Sequence, residues 1–154
     1  MSVGVGDPAP PFTLPGTAPG GGVQDYSLAD FAGKPVVIAF YPGDDTAVCT
    51  KQLNDYNDGF DSFNELDAQV LGISPQDLGS HERFSTKYGF KFPLLADTDK
   101  AVARRYGTLG PIGFPRRSVF IVDGAGTIRY AHRAIAGLTF RPASELVAVL
   151  KDLH

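Results

Sequence analysis

Cys49 is the residue of this chain best suited to nucleophilic and redox chemistry. It lies seven residues beyond Pro42, which closes a β-rich run, and it heads a stretch with helical spacing. The first turn of a helix offers free backbone N–H groups and the positive end of the helix dipole. A thiol held there ionises more readily, and the thiolate is the reactive form. Thr46 stands three residues earlier, where its hydroxyl can meet the sulfur or a bound oxygen. Arg116 and Arg117 precede a second β-rich run, Ser118–Val122. Either arginine, brought beside Cys49, would supply a planar and permanently charged donor. The opposing reading is that Cys49 is a small buried hydrophobe, as free cysteines often are. Spacing alone leaves both readings open.

The elements that must position these residues follow from the pattern of apolar residues. Pro35 to Tyr41 is a continuous apolar run with proline at its start, suited to a central strand covered on both faces. Cys49, Leu53, Tyr56, Phe60 and Phe63 recur at spacings of three and four, which predicts one helix. Ala68 to Ser74 reads as the next buried strand. A helix capped by Asp77 or Ser80 runs to about Tyr88, and Phe92 to Ala96 forms a short strand. Asp97 caps a helix from about Asp99 to Tyr106, ended by Gly107. Ser118 to Val122 and Thr127 to Ile135 form a hairpin around Asp123-Gly-Ala-Gly126. A last helix starts near Pro142. Upstream, Phe12 to Leu14 and Val23 to Tyr26 read as a hairpin around a Gly/Pro-rich loop, Pro15 to Gly22, and Ser27 caps a short turn. The order β-α-β-α-β-α-β-β-α predicts an α/β protein with a mixed sheet flanked by helices, and its closing hairpin and helix suit a thioredoxin-like fold. We read residues 1–154 as a single domain.

Composition limits the function. The chain has 154 residues, 43% hydrophobic and 20% charged, which favours a folded globular domain over disorder. Its net charge of -3 argues against a nucleic-acid binder. One cysteine excludes an internal disulfide and any zinc site built on two thiolates. His81, His132 and His154 show no ligand spacing, so no metal and no cofactor is expected. The N-terminus lacks the basic and apolar regions of a secretory signal, and no apolar run is long enough for a membrane span. The expected compartment is the reducing cytoplasm.

Pro42-Gly-Asp-Asp-Thr46-Ala-Val-Cys49 has the form PxxxTxxC, which resembles the active-site signature of the peroxiredoxins. Gly6-Asp-Pro-Ala-Pro-Pro-Phe-Thr-Leu14 is similar to their N-terminal pattern, and Leu28 to Pro42 to the approach to their active site. Leu94 to Gly107 and Arg117 to Asp123 resemble two further segments. The resemblance runs from about residue 4 to the end of the chain. It is nearest to the peroxiredoxin Q group, also called bacterioferritin comigratory protein.

The resemblance implies a thioredoxin-like fold with an N-terminal β-hairpin extension and a thiol-dependent peroxidase activity. Cys49 would attack hydrogen peroxide or an organic hydroperoxide and become a sulfenic acid. Thr46 would hydrogen-bond the sulfur and the peroxide, and Pro42 would shield the pocket from water. Arg117 matches the family's arginine better than Arg116, and Gln52 would support the pocket's hydrogen bonding. Three positions depart from the family. Asn54 stands where many members of the group carry a resolving cysteine, so an external thiol must reduce the sulfenic acid: thioredoxin, glutaredoxin or a low-molecular-weight thiol. Ala47-Val48 stands where Pro-Gly is usual, so Val48 adds bulk beside the pocket. A non-enzymatic peroxide sensor or redox-switched chaperone is the alternative function. A monomer or weak homodimer is expected, with no nucleic-acid or membrane partner.

Other candidates are expected to be structural. Asp44 and Asp45 read as solvated turn carboxylates. His81 reads as a surface residue near a helix start, and His132 as an exposed strand residue. Tyr41, Phe90 and Phe114 suit either a collar around Cys49, a dimer contact or, more simply, core packing.

Overall fold

The computed structural model describes residues 3–18, 21–110, 113–134 and 140–153. Among these, seven strands form one mixed sheet: β1 (Thr13–Thr17), β2 (Val23–Ser27), β3 (Val36–Phe40), β4 (Gln69–Ser74), β5 (Leu94–Ala96), β6 (Ser118–Val122) and β7 (Ile128–Arg133). Their spatial order is β2-β1-β5-β4-β3-β6-β7. β3, β4 and β5 run parallel, whereas β1 and β6 join them antiparallel. The helices are α1 (Ala47–Asp58), α2 (Phe60–Glu65), α3 (Leu78–Tyr88), α4 (Ala101–Arg105) and α5 (Ala143–Asp152). The thioredoxin-like arrangement expected from the element order is therefore present, with the β1–β2 hairpin attached at its edge.

All five residues of β3 are buried, because apolar side chains leave the strand on both faces. Val37, Ala39 and Tyr41 enter one core with Cys49, Leu53 and Tyr56 of α1, Phe84 of α3, and Leu146 and Leu150 of α5. Val36, Ile38 and Phe40 enter the opposite core with Phe12, Tyr26 and the α4 residues Val102 and Ala103. The reactive-cysteine candidate thus belongs to the layer built by α1, α3 and α5.

Four local expectations change. β1 continues through Pro15 and Gly16 to Thr17, inside what reads as a loop. Pairing supplies the reason: Gly16 lies opposite Leu95, and its missing side chain lets β1 close on β5, where a Cβ would stand 3.0 Å from the Leu94 carbonyl oxygen. The stripe from Cys49 to Phe63 is divided at Gly59 into α1 and α2, although both halves face the same core. Asp97 does accept from the Val102 and Ala103 amides, at 3.2 and 2.9 Å, but α4 covers only Ala101–Arg105 and its N-cap is Lys100. Pro142 is the N-cap of α5 rather than its first helical residue. Ile135, the expected end of β7, lies outside the described residues.

Candidate active site

β3 ends at Phe40, and residues 41–46 carry the chain to α1. Thr46 is the N-cap of α1, with φ −86° and ψ 155°, so Cys49 occupies the third helical position. Asp45, just before the cap, is held at φ 55°, a left-handed conformation that aspartate tolerates better than most residues. Its carboxylate accepts from Lys87 Nζ at 2.8 Å and Tyr88 Oη at 3.0 Å, tying the loop to the end of α3.

Arg117 reaches the cysteine from the neighbouring strand. Phe40 pairs with Ser118, so the residue preceding β6 stands at the carboxyl end of β3, where α1 begins. Strand alternation then separates the two arginines: Arg116 is exposed, and Arg117 is only 4% exposed. Arg117 Nη1 donates to Cys49 Sγ at 3.0 Å and to Gln52 Oε1 at 3.0 Å. Gln52 Nε2 donates to Tyr56 Oη at 3.1 Å, and Tyr56 donates to the Arg141 carbonyl at 2.8 Å. Burial pushes the Tyr56 phenol up, so it remains a donor. Cys49 and Gln52 have no exposed surface. The buried sulfur is thus faced by a guanidinium and lies in the first turn of a helix, whose N-terminal end carries the positive pole of the dipole.

The remaining candidate residues take different places. Pro42 is half-buried in the loop after β3, and Val48 is half-buried in the first turn of α1. Thr46 is exposed, and its hydroxyl donates to the Gly43 carbonyl at 3.3 Å. Tyr41 and Phe90 pack in the core that contains Cys49. Phe114 does not join it: the residue is 49% exposed, and Lys100 Nζ lies 4.8 Å from its ring centroid. His132 is half-buried, and burial together with Arg141 lowers its pKa.

Two expectations fail together. His81 is fully buried, not at the surface, and the Asp44 side chain is 3% exposed, not solvated. His81 Nδ1 lies 2.7 Å from Asp44 Oδ2, and Nε2 lies 3.0 Å from the Leu95 carbonyl. Asp44 also accepts from Ser80 Oγ and from Tyr41 Oη, each at 2.7 Å. Burial and the Asp44 carboxylate push the Tyr41 phenol well above its usual range, so it stays a donor. This polar cluster bolts the loop before Thr46 to α3 and β5. Nothing in the sequence marks it, because His81 follows Asp44 by 37 residues and the pairing exists only after folding.

Such a sheet, with a buried thiol at the start of α1 and an arginine on its sulfur, fits the class of thiol-dependent peroxidases of thioredoxin-like fold. Residues 5–131 match the AhpC/TSA family. The chain is 35% identical to "Peroxiredoxin Q, chloroplastic" of Oryza sativa subsp. japonica, over 99% of its own length and 67% of that protein's. The solved structure of Xanthomonas campestris peroxiredoxin Q is 31% identical and superposes with a TM-score of 0.78, covering 90% of each chain. Mycobacterium bovis AhpC gives 0.90 at 27% identity, over 99% of this chain and 93% of that one. The chain belongs to the AhpC/TSA family and is a peroxiredoxin.

Proposed function

We propose that this peroxiredoxin runs a one-cysteine cycle on hydrogen peroxide and organic hydroperoxides. The observation that carries the reading is the 3.0 Å contact between Arg117 Nη1 and Cys49 Sγ in a chain with a single cysteine. The Cys49 thiolate attacks one peroxide oxygen, and the O–O bond breaks. The second oxygen leaves with a proton as water or alcohol, and the sulfur becomes a sulfenic acid. Arg117 and the free N–H groups of the first turn of α1 stabilise the charge that develops on the oxygens. Thr46 binds the peroxide once its hydroxyl turns from Gly43, Pro42 keeps water from the thiolate, Gln52 supports Arg117, and Tyr41 packs beneath the loop.

With Asn54 in place of a second thiol, reduction falls to an external one. Two external thiol groups return Cys49 to the thiol, leaving as one disulfide and one water. Thioredoxin, glutaredoxin and a low-molecular-weight thiol all satisfy that stoichiometry. The working unit is a single domain, monomeric or weakly dimeric, acting in a reducing compartment such as the cytoplasm; the Oryza relative is named as chloroplastic. Among the described residues no helix is long and apolar enough to cross a membrane.

The test is the rate of Cys49 sulfenic acid formation at sub-stoichiometric hydrogen peroxide, trapped with dimedone and counted by intact mass. A rate orders of magnitude above that of a simple thiolate, lost in Cys49→Ser and Arg117→Ala, supports the peroxidase. Continued peroxide consumption with an added thiol separates an enzyme from a stoichiometric sensor or redox-switched chaperone. A rate equal to that of a simple thiolate overturns the reading.

A further inference from the structure

Arg117 Nη1 is shared between Cys49 Sγ and Gln52 Oε1, so the placement of Gln52 bears on that of the guanidinium. A glutamine amide has unlike ends: Oε1 only accepts and Nε2 only donates. Gln52 is fully buried, so neither end can turn to water. Its Nε2 meets Tyr56 Oη at 3.1 Å. That hydroxyl has one hydrogen, and the Arg141 carbonyl, which only accepts, takes it at 2.8 Å. The phenol oxygen therefore presents lone pairs alone to Gln52. At the other end Arg117 presents only N–H groups. Each neighbour demands a different end of the amide. Reversing it would set donor against donor at Arg117 and acceptor against acceptor at Tyr56. A carboxylate at position 52 would also face Tyr56 with an acceptor, and it would draw the guanidinium charge away from the sulfur. Gln52 and Tyr56 are thus a matched pair, with Tyr56 anchored by the segment that leads into α5.

We propose that Tyr56 is a positioning residue for peroxide reduction: through its bond to the Arg141 carbonyl it fixes the Gln52 amide, which holds Arg117 on the Cys49 sulfur. The proposal rests on the role assigned to Arg117 above. Tyr56 does not touch the reacting atoms. It acts two hydrogen bonds away from the sulfur-bound guanidinium.

The experiment measures the second-order rate of Cys49 sulfenic acid formation with hydrogen peroxide in four variants. These are Tyr56→Phe, Gln52→Met, the two combined, and Arg117→Ala. Tyr56→Phe keeps the ring and its edge contacts with Phe63 and Phe140. The expected result is a rate about fivefold to tenfold lower in Tyr56→Phe, the scale of one hydrogen bond. Gln52→Met alone slows oxidation to a similar degree, and adding Tyr56→Phe to it costs nothing further. A Tyr56→Phe loss that persists undiminished in the Gln52→Met background would mean a purely structural role and overturns the proposal. So does an unchanged rate in Tyr56→Phe, or in Gln52→Met, the latter being independent of how well Tyr56→Phe folds. Arg117→Ala reports on the parent reading. If it leaves the rate unchanged, the role of Arg117 fails and the proposal with it. If it slows oxidation while Tyr56→Phe does not, only the proposal fails.

Discussion

Arg117 Nη1 rests 3.0 Å from Cys49 Sγ across 68 residues of chain, because β6 lies antiparallel beside β3 and starts where β3 ends. Arg116, one residue earlier, points to the opposite side and is exposed. Arg117→Ala is expected to slow sulfenic acid formation by about 10²- to 10³-fold, the usual loss when a fixed donor to a developing anion is removed. Arg116→Ala is expected to leave that rate unchanged. Arg117→Lys does not restore it, since an ammonium lacks the planar set of donors that spans sulfur and amide. Stopped-flow or dimedone trapping with each variant checks the contrast.

Removing His81 is expected to destabilise the fold rather than simply change its surface. The Asp44 side chain keeps its Tyr41 and Ser80 donors but loses the His81 ring nitrogen 2.7 Å away while still buried. Leaving buried polar atoms without a hydrogen-bond partner costs about 1–3 kcal/mol, so His81→Ala should lower the urea midpoint markedly. A variant with native stability would show that the pair contributes nothing.

Gly72 in β4 has no room for a side chain. A Cβ there would stand 2.9 Å from Leu94 Cδ2 and 3.4 Å from Tyr41 Cε1. Gly72→Ala should destabilise by about 1–3 kcal/mol, the range for overpacking a dense core. It should also slow Cys49 oxidation, because Tyr41 carries the hydrogen bond to Asp44 in the loop that leads to Cys49. Urea unfolding and the oxidation rate read the two effects separately.

The exposed link from Asp45 to α3 depends on pH in one direction. Hydrogen bonds from Lys87 and Tyr88 hold the Asp45 carboxyl below its ordinary range. A carboxyl lowered on folding contributes stability above its unfolded pKa and loses it as pH falls through the folded value. Wild type is therefore expected to be slightly more stable than Asp45→Asn at neutral pH, with the gap closing as pH falls below about 4. Added salt should narrow the gap as well, because the pair is solvent-exposed.

Val48 is half-buried in the turn that carries Cys49. Val48→Gly should raise the rate with cumene hydroperoxide relative to hydrogen peroxide, since bulk beside the sulfur obstructs the larger substrate more. Equal changes for the two substrates would show that Val48 does not set size selectivity.

Local rules succeeded where one element's own residues decide the outcome. The β3 run, the helical spacing after Cys49, and the Asp77 cap, whose carboxylate accepts from Ser80 N at 2.8 Å, all follow from short-range sequence. They failed where a distant partner decides. Gly16 reads as loop, yet pairing with Leu95 makes it strand. His81 reads as surface, yet Asp44 and the Leu95 carbonyl enclose it. Tyr56 reads as one member of an apolar stripe, and its hydroxyl becomes visible as a functional group only when Gln52 and Arg141 stand on either side.

Sequence alone was enough to establish the order of elements, the loop that delivers Cys49 to a helix start, and the want of a second thiol. Each depends on neighbours along the chain or on composition, and backbone propensity and a residue count act without long-range contacts. Tertiary structure decided which arginine meets the sulfur, how Gln52 is oriented, and why an aspartate of the loop before α1 is buried against a histidine of α3. Those outcomes depend on strand register and on donors meeting acceptors across tens of residues. A buried polar atom must find its complement, and only the folded chain determines which one is there.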